Sequence, residues 1–218
     1  MKHAFLSLFL VLGLARAESP APEAATEKPE AAAQTKAVTQ EFTGEAKKVQ
    51  EQLEVLFDAS KKVNKPAETK AKYRGVIESG LDWNQVAAMC LGKNASKGSA
   101  AQREQFKNLL KDVAVKTAFT RLDTFWDGAK YKFDEIKVNG TDAQAHSTFS
   151  VKGDSFGLDY YLSKKSGKWL IVDIAFKKER YSVNIKEQIN EFLAQGNFAK
   201  LLDKLKKRRD ELDAEKKG

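Results

Sequence analysis

From Phe42 onward the large apolar side chains recur every three or four residues: Phe42, Ala46, Val49, Leu53, Leu56 and Val63, with Phe57 beside Leu56. That spacing predicts an amphipathic helix of about twenty residues, ended by Asn64 and Pro66. A second helical stretch covers 67–79. Asp82, with Gln85 three residues on, has the form of an N-cap with its capping-box partner, opening a helix that runs to Leu91 and is closed by Gly92. Ser99 and Gln102 repeat the signature. The helix they open carries Phe106, Leu109, Leu110, Val113, Thr117 and Phe119 to about Leu122.

The period then changes from 3.6 to 2. Residues 130–138, 142–152, 156–164 and 168–176 read as four strands, with Asn139-Gly140 and Ser166-Gly167 as hairpin turns that accept positive φ. Trp169 to Phe176 is apolar on both faces except at Asp173, which predicts a central strand covered on each side. Ser182 is expected to cap a helix holding Val183, Ile185, Ile189, Phe192 and Leu193, which Gly196 breaks. A last helix carries Phe198, Leu201, Leu202 and Leu205 into a charged tail. Helices, antiparallel strands, then helices make an α+β domain: a twisted antiparallel sheet of about four strands, wrapped by helices from both ends of the chain. Such a sheet can enclose an apolar cavity between the layers.

The first residues belong to a different pattern. Lys2 and His3 precede an apolar run from Ala4 to Leu14, followed by Ala15-Arg16-Ala17, with small residues at the −3 and −1 positions of a cleavage site. Residues 1–17 thus read as a secretory signal peptide cleaved after Ala17. The run is shorter than the roughly 20 residues that span a bilayer. Residues 18–40, rich in Ala, Pro and Glu, cannot bury enough surface to offset their ordering and are expected to be a disordered linker. A single domain then occupies 41–218.

Export narrows what the charge can mean. The chain of 218 residues is net +8, with the excess in 41–218. Outside the cytoplasm, nucleic acid, ATP and nicotinamide cofactors are scarce, so a basic domain there faces anionic membranes, acidic proteins, or only solvent. Cys90 is the only cysteine, which rules out an intramolecular disulfide; it reads as a buried core residue, and its position rules out a lipid anchor at the cleavage site.

Candidate chemistry is sparse. Once the signal is removed, His146 is the only histidine, and one His with one distant Cys makes no metal site. His146 falls on the polar parity of its strand, and no Gly-x-Ser-x-Gly accompanies it. Residues Gly92 to Ser99 superficially resemble a phosphate loop, but the lysine is misplaced and no strand precedes it. Asp173 reads as a structural acceptor for backbone amides or a hydroxyl, although a buried carboxylate can serve acid–base chemistry. Asp159, beside Tyr160 and Tyr161, is similarly open. Lys204, Lys206, Lys207, Arg208 and Arg209 form a basic run on the last helix, suited to a partner or a membrane surface, or merely solvated.

Several segments resemble one family. Ser99-Ala100-Ala101-Gln102-Arg103-Glu104-Gln105-Phe106 is similar to the (S/T)-P-x-Q-R-x-x-F opening of the long helix in the MlaC, or toluene-tolerance, family of periplasmic phospholipid-binding proteins. Val86 through Leu91-Gly92 resembles its V-L-G segment, and Trp169-x-x-x-Asp173-Ile174 its W-x-V-Y-D-V strand. Ser182-Val183 with Gln188 resembles the start of the next helix, and Gly196 to Leu205 the closing G-x-x-x-L-x-x-x-L element. The likeness covers about 45–212 in order. Ala100 replaces the family's Pro, Val172 its Tyr, and Lys178-Glu179-Arg180-Tyr181-Ser182 a shorter E-G-V-S.

The resemblance implies a monomeric carrier that binds phospholipid in the periplasm without catalysis or cofactor. Its partners would be an inner-membrane ABC transporter complex and an outer-membrane lipoprotein–porin complex, in maintenance of outer-membrane lipid asymmetry. Apolar residues on the facing layers are the candidate lipid contacts: Val86, Phe106, Leu109, Leu110 and Val113; Phe149, Leu158, Tyr160, Leu162 and Ile171; Ile189 and Phe192. Two alternatives remain at this point. One is an enzyme acting on a hydrophobic substrate through Asp159, Tyr160 or Asp173; the other is a non-catalytic adaptor whose core is filled by its own side chains.

Overall fold

Helix α1 (Gly44–Lys62) begins the domain in a computed structural model that describes residues 41–62, 67–119, 125–126 and 128–214. The expected signal peptide and linker lie outside the described residues. Glu45 stands in the first turn of α1 and Lys61 and Lys62 in the last, each favourable to the helix dipole. Val49, Leu53, Leu56, Phe57 and Ala59 form its buried stripe. Then come α2 (Ala67–Ser79), α3 (Trp83–Leu91), a 3-10 turn (Gly92–Lys97) and α4 (Ala100–Phe119).

The local signals at these ends are visible as contacts. Asp82 caps α3 by accepting from the amides of Asn84 and Gln85. Ser99 and Gln102 complete a reciprocal capping box, with the Gln102 amide donating to the Ser99 hydroxyl at 3.2 Å and the Ser99 amide to the Gln102 side chain at 2.9 Å.

Five antiparallel strands follow in sequence order: β1 (Lys130–Asn139), β2 (Asp142–Val151), β3 (Asp154–Lys165), β4 (Lys168–Phe176) and β5 (Glu179–Arg180). The two-residue β5 extends the four-strand expectation. It pairs Ala175 with Arg180 and Phe176 with Glu179. Both ends of β4 are therefore covered on its far edge, because Gly80–Asp82 also bonds to Ile171: the Asp82 amide donates to its carbonyl and its own amide to Gly80, each at 2.9 Å. Helices α5 (Tyr181–Gln195) and α6 (Phe198–Ala214) close the chain.

Ser182 is not the N-cap of α5. Arg180 holds that position, and Ser182, inside the first turn, turns its hydroxyl to Asp173 instead. The pull of a buried carboxylate outweighs local capping.

Two irregularities in pairing decide which side chains face inward. The β1–β2 register shifts between Phe133 and Glu135, and the β3–β4 register between Tyr161 and Leu162. Each leaves one residue, Asp134 or Val172, outside the ladder and reverses the parity beyond it. Tyr131 and Phe133 before the first bulge thus share a face with Ile136 and Val138 after it; Trp169 and Ile171 share that face with Ile174.

The apolar interior falls into two main parts, with a small third where Val115 of α4 meets Tyr73 and Ile77 of α2. Helix α1 and the inner sheet face form one, around Leu53, Phe57, Phe149, Tyr160 and Leu162. Helices α3, α4, α5 and α6 form the other, around Cys90, Phe106, Leu110, Ile189 and Leu201. Strand β4 lies between them, with α3 and α5 packed on the side where Asp173 points. A Lys116–Asp213 ion pair joins α4 to α6. No helix among the described residues is long and apolar enough to cross a membrane.

Candidate functional site

The inner sheet face presents an aromatic assembly around Phe57. Its ring lies 4.8 Å from Tyr131 edge-on, 5.8 Å from Phe133 in a stack, 5.6 Å from both Phe149 and Tyr160, and 6.0 Å from Trp126. The stacked pair Phe149–Phe156, at 5.7 Å, extends the assembly, and Phe176 meets Phe156 edge-on at 6.0 Å. Alternation along the strands puts Tyr131, Phe133, Phe149, Phe156 and Tyr160 on one face, the bulge at Val172 brings Phe176 to it, and Phe57 and Trp126 pack on that face from outside the sheet.

The assembly is buried in the middle and open at the margin. Phe149, Tyr160 and Leu162 are buried, while Tyr131, Phe133, Ile136, Phe156, Leu158 and Ile174 are only half-buried. Helix α1 lies over its middle, while Val76 of α2, Leu81 and the rings of Phe125 and Trp126 pack along its border. At the margin the Lys61 ammonium sits over the rings of Tyr131 and Trp126, 4.9 and 5.1 Å from their centroids, a cation–π contact. Burial drives the phenol of Tyr160 above its ordinary range, so it stays neutral.

Helix α1 is fastened at its start. The Glu45 carboxylate accepts from Lys164 at 2.7 Å and from the Trp169 indole at 3.1 Å. The Lys164 hydrogen bond, then that of Lys48, holds this carboxyl down to about 2.

The apolar residues singled out in the sequence do not all converge. Phe149, Leu158, Tyr160, Leu162 and Ile171 belong to the aromatic side. Val86, Phe106, Leu109, Leu110, Val113 and Ile189 pack together in the helical interior, with Phe192 against them. Phe192 also lines a shallow cavity of about 390 Å³ at the α5–α6 turn. A second cavity, of about 400 Å³, lies where α3 and α4 meet the β3–β4 hairpin and is bordered by Asp82, Trp83, Lys107, Lys111, Lys165 and Leu170. Phe57, Trp126, Tyr131 and Phe133 were missed. The aromatic residues dense between 125 and 133 are the available signal, but the bulge at Asp134 hides that Tyr131 and Phe133 share a face with Ile136 and Val138.

The carboxylates are dispersed. Asp173, with its side chain 1% exposed, accepts from Arg180 and the Ser182 hydroxyl at 2.6 Å, and from the amides of Ser182 and Ile174 at 3.0 Å. Arg180 also stacks over Tyr161, 4.1 Å from its ring centroid. This arrangement locks the β4–α5 connection. Asp159 lies on the outer face, 2.7 Å from His146, and Thr148 donates to Asp134 nearby at 2.6 Å. Tyr160 faces inward, so it shares no site with either aspartate. Among the described residues no group of three His, Cys, Asp or Glu side chains could hold a metal ion.

Comparison with known proteins adds two findings. A family model described as MlaC protein matches residues 46–207. A solved structure of a phospholipid-binding protein from Ralstonia solanacearum, in complex with a phospholipid, superposes with a TM-score of 0.66 at 18% sequence identity, covering 77% of this chain and 98% of that one. That likeness establishes a shared fold. No curated protein matches the chain.

Proposed function

The chain belongs to the MlaC family, and on that premise we propose that it is a phospholipid carrier of the periplasm, exchanging lipid between an inner-membrane ABC transporter complex and an outer-membrane lipoprotein–porin complex. The observation that carries this reading is the aromatic face under α1: an apolar surface half-buried at its margin, with Phe57 of α1 seated on its middle. The Ralstonia protein of the same fold was solved with a phospholipid bound.

Physical necessity supports the same reading. A phospholipid with about 30 buried methylenes, at ~0.8 kcal/mol each, loses on the order of 24 kcal/mol when its chains enter water. A soluble carrier must return most of that by apolar contact. The aromatic side can do so if α1 and its ring Phe57 give way to acyl chains, with Phe149, Leu158, Tyr160, Leu162 and Ile171 as the floor. The helical side, where Phe106, Leu110, Cys90 and Ile189 are wholly or almost wholly buried, serves as the scaffold.

The reading needs no catalysis. Asp173 is occupied as an acceptor, and Asp159 lies on the opposite face from the apolar floor. Transfer of a fluorescent phospholipid between two vesicle populations tests it: the protein should accelerate exchange in proportion to its concentration, with the lipid recovered unchanged. Hydrolysed lipid would favour an enzyme, and no acceleration an adaptor.

A further inference from the structure

A second surface stands apart from the aromatic face, on α6. Lys200, Lys204 and Lys207, spaced i, i+4 and i+7, form one stripe opposite the buried Leu201, Leu202, Leu205 and Leu212. None of the three has a carboxylate partner among the described residues. The two arginines of the helix are differently placed: Arg208 is paired with Glu211 at 3.3 Å and Arg209 with Asp210 at 2.7 Å. Asp203 flanks the stripe and is exposed.

The stripe borders an apolar feature. The Lys204 ammonium lies 5.5 Å from the centroid of Phe192, whose half-buried ring lines the shallow cavity of about 390 Å³ together with Gln195, Gly196, Lys200 and one exposed carboxylate, Glu191. Lys97 reaches the same end of α5, donating to the Leu193 carbonyl at 3.5 Å. An aromatic ring flanked by cations on flexible stems suits the boundary between lipid headgroups and acyl chains.

We propose that the Lys200–Lys204–Lys207 stripe with Phe192 is a docking surface for anionic bilayers. The division of labour within the helix favours a membrane over an acidic protein. Arginine reads individual carboxylates bidentately, and here the arginines are engaged by their own helix. The lysines left over are compact point charges, which a diffuse layer of anionic headgroups attracts without fixed geometry. The surface does not depend on what the aromatic face holds, so its test is separate from that of the carrier function.

The test is vesicle flotation of protein purified from a periplasm, with phosphatidylglycerol-containing vesicles against pure phosphatidylcholine. Lys200→Gln/Lys204→Gln/Lys207→Gln removes three exposed or half-exposed cations, each contributing about 1 kcal/mol near an anionic surface, and should weaken partition into anionic vesicles roughly a hundredfold. Phe192→Ala should weaken it further. Lys130→Gln/Lys132→Gln/Lys137→Gln on the distant β1 removes the same charge and should leave binding nearly unchanged. Equal loss in both triple variants would reduce the effect to net charge and overturn the proposal. So would wild-type protein that floats no better with anionic than with neutral vesicles; lysine-dependent retention on immobilised polyglutamate would then reassign the face to an acidic polypeptide.

Discussion

The Trp169 indole donates a 3.1 Å hydrogen bond to the Glu45 carboxylate, joining the first turn of α1 to the start of β4 across 124 positions of sequence. Lys164 donates to the same oxygen at 2.7 Å. This clasp sets where the roof of the aromatic face begins, and it is electrostatic, so acid should open it.

The pH dependence follows from the direction of the shift. The Lys164 hydrogen bond and its neighbours lower the Glu45 carboxyl from 4.5 to about 2. A carboxylate lowered in the folded state contributes stability that is present above about 4.5 and lost as pH falls towards 2. Glu45→Gln should therefore flatten the loss of stability between pH 5 and 2, followed by circular dichroism melts across that range. A variant with an acid limb as steep as the wild type would show that Glu45 does not hold α1.

Cys90 should be chemically silent in the native protein. It is fully buried, and burial together with the Asp173 charge pushes its thiol up to about 12, so neither access nor thiolate is provided. Ellman's reagent is expected to label no thiol in the folded chain and one after denaturation. Rapid labelling under native conditions would contradict the packing between α3, α4 and α5.

Asp173 is predicted to be a structural residue. Asp173→Asn keeps the size but weakens the bonds from Arg180 and Ser182, with an expected cost of about 1–3 kcal/mol in urea unfolding. Lipid exchange by the folded fraction should persist. Lipid turnover that vanished with this substitution would instead make Asp173 part of an active site.

These anchors show what the sequence discloses and what it conceals. Gly140 and the pair Ser166-Gly167 adopt the positive φ that their turns require, and Asp82 and the Ser99–Gln102 box hold the helix ends expected of them. Such devices are local, so a few residues determine them. The phase of a strand beyond a bulge is not local. The apolar character of both faces of β4 comes from two causes: Val172 switches parity midway, and the outer side meets α3 and α5. The same switch at Asp134 gathers Tyr131 and Phe133 with Ile136 and Val138. The division of the apolar residues into two interiors was also hidden, because helical spacing marks a buried face without saying what covers it. Short β5 and the start of α5 at Tyr181, with Arg180 in the N-cap position, follow from the Asp173 bonds, a long-range effect without a local signature.

Charges introduced into the two interiors should behave differently. Leu110→Glu places a charge in the fully buried helical side and should unfold the domain, because an unpaired buried charge is strongly unfavourable. Leu158→Glu lies at the half-buried floor of the aromatic face, where water can reach it once the ligand is gone. That variant should remain folded and carry little lipid, as read by thermal melts and lipid extraction on the same samples. The reverse pattern, with Leu110→Glu folded but lipid-free and Leu158→Glu still loaded, would move the acyl site to the helical interior.

The most direct measurement is native mass spectrometry of protein purified gently from a periplasm. The account predicts a bound mass matching one or more intact phospholipids, displaced by an excess of lipid of different chain length. A spectrum showing only the bare polypeptide, even after incubation with saturating phospholipid vesicles, would contradict it.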